Sequence, residues 1–343
     1  MATKYIGADV HVTTTELAVD RSGKVLDRYR VPTTIPSLRE VLMRISGSCV
    51  LVIEEGPMAG WLYRNLREHV EKMIVCDPRR NHHIARDGDK DDPIDAAKLA
   101  ALARGGYLRE VYHTDDESRE AFKQWVSLYH DRIGDRVRQA NKIHGRARLY
   151  GARIPTVVLK QPQRREPFLS SLHHPELASQ LRVLWMGYDA TVAQAAEALK
   201  QFRRRSRSYP IVQYWRELPG VGPVRAATLL AYLDTPWRFR RKNRLWKYCG
   251  LGLQRTASGS DRHGRPNPAH LHLAWQVNRR LKDAIVGATM NAIVGDNVFG
   301  HQYRRLLDHG LIPSNARHTV ARTMLTVMWG MWKRTARFDA SLL

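Results

Sequence analysis

Four carboxylates in three segments of the chain have the types and surroundings expected of a metal site. Asp92 and Asp95 lie three residues apart in the segment KDDPIDAAKL, where Pro93 suits the first turn of a helix. Asp9 lies in the apolar, strand-like run YIGADVHV, and Glu54 lies at the end of a second run, CVLVIEEG. Because strands of one sheet can bring distant positions together, the four side chains can converge.

The paired aspartates also have a purely structural interpretation. Asp92 can cap the helix that follows it, and Asp95 can interact with the positive end of that helix. Taken alone, such a pair is more typical of a helix start than of a metal site. Four carboxylates in one pocket repel each other unless cations bind, and Mg²⁺ prefers oxygen ligands together with phosphate. We therefore expect the four carboxylates to bind one or two Mg²⁺ ions that activate a scissile phosphodiester.

The elements predicted around these residues indicate an α/β domain. Residues 5–31 show the alternation of three short antiparallel strands, with a turn at residues 21–23. Helices and strands then alternate at residues 37–45, 49–53, 61–70, 72–76 and 92–104. This is the element order of a ribonuclease H-like fold, in which the first strand, the fourth strand and the last helix meet at the active centre.

Positive charge is concentrated in the part of the chain that follows these carboxylates. The formal net charge is +23. Residues 1–110 contain 17 basic and 16 acidic residues, whereas the rest of the chain contains 39 basic and 17 acidic residues. Such segregation favours a nucleic-acid partner over a merely soluble basic protein.

Two long helices are predicted in the middle of the chain. Residues 122–150 have apolar side chains at three- and four-residue steps, and residues 177–202 are predicted to return antiparallel to them. A coiled coil and a packed helix of a bundle are equally compatible, because Gly134 and Gly145 weaken a long autonomous helix. Residues 151–167 are predicted to be a loop. The basic residues here that we expect to contact nucleic acid are Arg132, Arg136, Lys142, Arg146, Arg203 and Arg204.

The segment LPGVGPVRAATLLAYL, residues 218–233, resembles a helix-hairpin-helix element. Gly220 and Gly222 would let backbone N–H groups approach a phosphate at a helix N-terminus, and an ordinary helix–helix turn is the structural alternative. The next segment, WRFRRKNR, interleaves aromatic side chains with cations, which suits base stacking and backbone contact. Its expected contact residues are Arg240, Arg241 and Lys242. A glycine-rich polar loop follows, then helices at about residues 270–294 and 316–335.

Membrane and secreted classes are not indicated. The sequence has no apolar run of about 18 residues, the length that a membrane span requires, and its first residues lack the pattern of a signal peptide. The cysteines, Cys49, Cys76 and Cys249, are widely spaced, which favours buried thiols in a reducing cytoplasm over zinc ligands or disulfides.

The ordered motifs resemble those of one group of insertion-sequence transposases, the DEDD type, relatives of the pilin-gene invertase and of the bridge-RNA-guided recombinases. The matching blocks are GADVH, IEEGP, KDDPIDAAKLA, LPGVGPVRAATLLAYL, WKYCGLG and ASG, and together they extend over nearly the whole chain. Two features depart from the family pattern. Pro93 and Ile94 stand between the paired aspartates where basic residues are common, and Glu55 follows Glu54, although strand alternation would point Glu55 away.

The resemblance implies a RuvC-like DEDD domain in residues 1–110, a coiled-coil or helical linker in residues 111–207 and a mainly α-helical transposase domain in residues 208–343. It also implies that Ser258 attacks DNA to form a covalent serine–DNA intermediate. Ser260 is the alternative nucleophile, and without the resemblance either serine would be a turn former.

The resemblance further implies a homo-oligomer, dimer or tetramer, that acts on double-stranded donor and target DNA. A structured bridge RNA would choose the sites, and the protein would work in the bacterial cytoplasm, associated with the nucleoid. Two other functions stay open from the residues themselves. One is a RuvC-like, structure-selective nuclease that hydrolyses DNA and needs the carboxylates but not the serine. The other is a catalytically inactive nucleic-acid-binding module, which needs neither.

Overall fold

The computed structural model describes residues 2–81, 92–256, 270–273 and 277–342. Two compact units divide the chain, one formed by residues 1–117 and the other by residues 118–343. None of the helices in the described ranges combines the length and the apolar character that crossing a bilayer requires.

A five-stranded sheet forms the centre of the first unit. Its strands are β1 (Lys4–Val10), β2 (Thr14–Arg21), β3 (Lys24–Pro32), β4 (Cys49–Glu54) and β5 (Lys72–Cys76). They lie in the order β3-β2-β1-β4-β5. β1, β2 and β3 pair antiparallel, while β4 is parallel to β1 and β5 is parallel to β4. The predicted α/β domain, with its three antiparallel strands first and its alternating elements after them, is confirmed.

Helices cover both faces of this sheet. The helices of the first unit are α1 (Ile35–Arg44), α2 (Ala59–Leu66), α3 (Pro78–Asn81) and α4 (Asp92–Arg104). Ile6 and Ile53 pack on one face with Leu38 of α1 and Leu62 of α2. On the other face Val50, Val52 and Leu99 of α4 form a separate apolar cluster. Successive strand residues point to opposite faces, so the two clusters divide the strands by alternation.

The backbone of α4 comes unusually close to β1 at Gly7. A Cβ atom placed on Gly7 would lie 2.0 Å from the carbonyl oxygen of Ala96 and 2.6 Å from the amide nitrogen of Ala100. Both atoms belong to the helix backbone, so they cannot move away as a side chain could. Glycine at position 7 is therefore what allows α4 to lie directly on the sheet.

Replacing Gly7 with alanine should destabilise the first unit by about 3 kcal/mol, the upper part of the range for overpacking a tight core. Hydrogen–deuterium exchange of the β1 and α4 amides in the full chain measures the change. Gly56→Ala is the matched control, because a Cβ at Gly56 meets no atom within 4 Å. Equal exchange in the two variants would show that the close approach contributes nothing.

The second unit is mostly helical. Its helices are α5 (Glu117–Arg148, whose first residue belongs to the first unit), α6 (Thr156–Lys160), α7 (Arg165–Ser170), α8 (Pro175–Ser206), α9 (Pro210–Trp215), α10 (Pro223–Leu233), α11 (Lys242–Tyr248), α12 (Arg279–Ala292), α13 (Val298–Asp308) and α14 (Pro313–Arg334). Two short strands, β6 (Leu253–Thr256) and β7 (His270–Leu273), pair antiparallel. The predicted mainly α-helical C-terminal region is confirmed.

α5 and α8 run antiparallel, as their spacing predicts. The rings of Tyr129 and Phe202 lie 5.1 Å apart near one end of the pair, and Arg132 Nη1 donates to Gln194 Oε1 at 3.1 Å. At the other end Ile143 packs with Leu177 in one apolar cluster. The two helices therefore contribute to a separate apolar cluster at each end, with a polar contact between the two clusters.

Two predicted elements were wrong. Residues 151–167 are not a loop, because they contain α6 and the start of α7, and Val158 and Leu159 are buried between α5 and α8. The prolines there precede a helical turn or lie within its first turn, where the missing N–H costs nothing. The helix expected from residue 270 begins only at Arg279, since residues 270–273 form β7. Leu253 pairs with Leu273, so a partner distant in sequence determines that strand.

The largest core joins α9, α10, α12 and α14. Trp215 is fully buried there, and its indole N–H donates to the carbonyl of Met328 at 2.9 Å. Burial also raises the pKa of the Cys249 thiol well above its usual value. Cys49, Cys76 and Cys249 are all buried thiols, none of them in a disulfide among the described residues, so the prediction of buried thiols is confirmed.

Candidate active site

Asp9 and Glu54 leave the sheet at the same edge. The last registered pair between β1 and β4 is Ala8 opposite Ile53, so Asp9 and Glu54 are the next residues on two adjacent parallel strands. Neighbouring strands are about 4.8 Å apart. Sheet geometry thus places these two predicted ligands side by side.

Both carboxylates also belong to the face of the sheet that α4 covers. Asp9 is two residues beyond Gly7, against which α4 packs. Glu54 is two residues beyond Val52, which contacts the α4 side of the core. Residues two apart on a strand share a face. Alternation therefore directs Asp9 and Glu54 toward α4.

α4 runs antiparallel to β1, with its first turn at the Asp9 end. Near the last turn of α4, Arg104 Nε pairs with Asp20 at 3.1 Å, and Asp20 lies opposite Tyr5 on β1. One and two turns before Arg104 on α4, Ala100 and Ala96 lie against Gly7 of β1. Two strand residues from Gly7 to Asp9 advance about 6.6 Å, and four helical residues cover about 6 Å. The turn that contains Asp95 is consequently level with Asp9.

Some of the remaining predicted catalytic residues lie outside the part of the protein that the structure describes. The backbone of Asp92 begins α4, while the side chain of Asp92 lies outside the described part of the protein. Ser258 and the alternative Ser260 also lie outside the described residues. Among the side chains that are described, no three or more His, Cys, Asp or Glu are grouped so that they could hold a metal ion. Of the four predicted ligands, the structure brings Asp9 and Glu54 to one edge and the first turn of α4 next to it.

The donor chemistry of this edge fits Mg²⁺. Asp9 and Glu54 offer carboxylate oxygens, the atoms that Mg²⁺ prefers. The Asp9 side chain is 26 % exposed and Glu54 is exposed, so both can reach a solvated ion.

His11 is a site residue that the sequence reasoning missed. Its Nε2 lies 3.1 Å from Oδ2 of Asp9. A histidine that bonds a metal-binding carboxylate fixes the orientation of that carboxylate, as outer-shell partners of metal sites do. The signal was present in the sequence, because Asp9 and His11 are two residues apart at the end of a predicted strand and so belong to the same side of it.

Glu55 has a different partner from the candidate ligand beside it. Its carboxylate lies 2.6 Å from Nε2 of His113, a side chain only 11 % exposed. The Glu55 N–H donates to the carbonyl of Cys76 at 2.9 Å. The backbone of Glu55 is thus bonded to the end of β5, and its side chain contacts the segment that follows α4. These contacts distinguish Glu55 from Glu54. Sequence reasoning did not anticipate His113, which is 58 positions away from Glu55.

Most of the expected nucleic-acid contacts are exposed cations of the second unit. Arg132 differs from them, since it pairs with Asp135 at 2.6 Å. Arg136 is half-buried. The exposed ones are Lys142, Arg146, Arg203, Arg204, Arg240, Arg241 and Lys242. Within the described ranges none of these exposed cations has an ion-pair partner, so their charge is available to a polyanion.

The two glycines of the predicted hairpin element have different surroundings. Gly220 has φ +78°, and a Cβ there would lie 2.2 Å from the carbonyl oxygen of Ala288 in α12. Backbone conformation and packing against α12 already require glycine at that position. Gly222 precedes α10 at its N-cap, and no atom lies within 4 Å of where a Cβ would be. Of these two glycines, Gly222 is therefore the one that leaves open space at a helix N-terminus.

Comparison with known proteins identifies similar chains. A family described as "Transposase", the DEDD transposases of IS110 type, matches residues 6–150. A second, described as "Transposase IS116/IS110/IS902 family", matches residues 212–304. An uncharacterised 43.6 kDa protein of insertion element IS110 from Streptomyces coelicolor is 23 % identical over 375 residues, which cover 93 % of this chain and 91 % of that protein. An uncharacterised 44.8 kDa protein of insertion element IS116 from Streptomyces clavuligerus is 23 % identical over 57 % of this chain and 44 % of its own length.

Proposed function

Since residues 6–150 and 212–304 match two models of the IS110/IS116 transposases, we propose that this chain belongs to that family and that it cuts and rejoins DNA through a metal-dependent, covalent serine mechanism. The observation that carries the proposal is that Asp9 and Glu54 lie side by side at the ends of β1 and β4, on the face of the sheet covered by α4. The strand order β3-β2-β1-β4-β5, with α4 across β1, supports a ribonuclease H-like, RuvC-like first unit.

The acidic edge would hold one or two Mg²⁺ ions through Asp9, Glu54, Asp92 and Asp95. Bound Mg²⁺ supplies positive charge that stabilises the charge developing on a scissile phosphodiester. Asp9 and Glu54 would bind the metal ion and so orient the phosphodiester beside it. His11 keeps the Asp9 carboxylate in position through the 3.1 Å contact. Arg104 and Asp20 secure the last turn of α4, and the close approach of Ala96 and Ala100 to Gly7 holds the middle of the helix on β1.

The nucleophile in this proposal is Ser258. Its Oγ forms a bond to phosphorus, the bond from phosphorus to one deoxyribose oxygen breaks, and the released sugar oxygen takes up a proton. The serine proton passes to a base, because a neutral hydroxyl is a weak nucleophile. The number of phosphoester bonds stays constant, so the DNA end can be rejoined without a cofactor that supplies energy.

We further propose that a structured bridge RNA selects the donor and target sites and that the protein acts in the cytoplasm as a homo-oligomer. The exposed cations that support this proposal lie on several elements of the second unit, from Lys142 on α5 to Lys242 on α11. Cations spread in this way suit contacts to the phosphate backbone, which carry no sequence information. A base-pairing partner would then supply the site choice.

A recombination assay with purified protein tests the proposal. A plasmid that carries the insertion element and its target should give recombinant junctions when Mg²⁺ and the RNA transcribed from the flanking DNA are both present. Omitting the RNA or adding excess chelator should remove the junctions. Free 5′-phosphate ends without any junctions would instead identify the hydrolytic nuclease.

A further inference from the structure

A basic cleft lies between α11 and α14 in the second unit. Its volume is about 540 Å³, and the residues that line it include Arg244, Trp246 and Lys247 of α11 and Arg322 of α14. Arg244 and Lys247 are exposed at the rim, whereas Arg322 is half-buried. We call this space the α11–α14 cleft. The cations that were predicted from the sequence to contact nucleic acid do not line this cleft. The nearest of them in sequence are Arg240, Arg241 and Lys242, which precede or begin α11.

Arg322 carries a positive charge that no carboxylate balances among the residues that the structure describes. Its Nε donates to the carbonyl of Leu251 at 2.8 Å, which holds the guanidinium in place. Burial lowers the pKa of Arg322 from its usual value. In the described parts of the chain, no acidic side chain forms an ion pair with Arg322, Arg244 or Lys247. A desolvated cation without a partner is costly, so an anion that enters the cleft offsets that cost.

Further positive charges lie close to His318, which is four residues before Arg322 on α14. Lys282 of α12 and Arg317 and Arg322 of α14 all lower the pKa of His318, in addition to the effect of its burial. These four side chains are half-buried on two packed helices. Charges of one sign in a partly desolvated region concentrate the field and attract counter-ions.

The wall of the cleft is fixed by its own contacts. The Trp246 indole N–H donates to Oγ1 of Thr326 at 3.0 Å, which ties α11 to α14. A Cβ on Gly252 would lie 2.7 Å from the Cα of Lys247, so the chain after α11 turns back closely against it. A site held in this way loses little conformational entropy when it binds a ligand.

We propose that the α11–α14 cleft binds the phosphodiester backbone of DNA, a proposal that rests on the proposed function only in taking DNA as the substrate. The cations come from separate helices and span a volume larger than one phosphate group requires. They therefore suit consecutive phosphates of a strand better than a single small anion. Guanidinium groups bind phosphate oxygens through charge-assisted hydrogen bonds.

The test is the double variant Arg244→Gln, Lys247→Gln in the full chain. Both side chains are exposed, so the fold should be retained. Affinity for a 30-base-pair duplex is measured at several salt concentrations in excess chelator, where no cleavage step is needed. We expect affinity to fall on the order of 10-fold and the salt slope to decrease by about 2, since each lost phosphate contact removes about 0.9.

The matched control is Arg153→Gln, Lys160→Gln, which removes the same charge from two other exposed positions of the second unit. It should leave the salt slope unchanged. Equal losses in the two double variants would overturn the proposal, because net charge alone would then explain them. Loss of affinity for the flanking RNA with unchanged duplex binding would also overturn it. A selective loss of duplex affinity in a protein that never recombines DNA would support the cleft and reject the recombinase.

Discussion

Replacing Ser258 with alanine is expected to abolish recombination and the protein–DNA adduct together. If Ser258 is the covalent nucleophile, removing it should lower the rate by roughly 10⁶-fold, a loss of the size seen when such a nucleophile is removed. Denaturing electrophoresis of stalled wild-type reactions should show protein joined to a DNA end. Mass spectrometry of the digested adduct should place the modification on Ser258.

Ser260→Ala is the control, because it removes an equivalent hydroxyl two positions away. It should keep both the adduct and the recombinant junctions. An adduct found on Ser260 would preserve the mechanism and change the residue. Normal cutting by Ser258→Ala, with no adduct at either serine, would replace the recombinase with a hydrolytic nuclease.

Replacing Asp9 with asparagine should lower strand cleavage on the order of 10³-fold, as expected for removing a group that stabilises transition-state charge. Asparagine keeps the shape of the side chain but loses the negative charge that a divalent cation requires. DNA binding should stay near its wild-type strength, since the exposed cations that we expect to contact nucleic acid lie in the second unit. Cleavage is measured on a labelled substrate across a Mg²⁺ titration, and affinity is measured in chelator.

Two variants separate a direct role of Asp9 from a general effect of charge. Asp27→Asn removes the same charge from an exposed position of β3 and should leave cleavage unchanged. His11→Ala removes the 3.1 Å contact to Asp9 and should cost about 10- to 100-fold, recovered in part at high Mg²⁺. Wild-type cleavage by Asp9→Asn would remove Asp9 from the metal site.

Apart from the short helix α3, the order and type of the elements in the first unit were readable from the residues alone. Strand β5 begins and ends at the predicted residues, and the predicted limits of α4, residues 92–104, are the observed ones. Those limits are local properties, because alternation, helical spacing and a proline near the start of a helix act within a few residues. The segregation of positive charge beyond residue 110 is likewise a property of the sequence and needs no fold.

The neighbours of each candidate residue depend on the tertiary structure. Asp9 and Glu54 are 45 positions apart, and only the parallel register of β1 and β4 makes them adjacent. His113 contacts Glu55 across 58 positions, and Arg322 meets α11 only where α14 packs on it. Periodicity shows which face of an element is apolar, but it carries no information about which other element covers that face. Register and close approach, such as that of α4 at Gly7, follow from long-range packing, and that packing decides which charges come together.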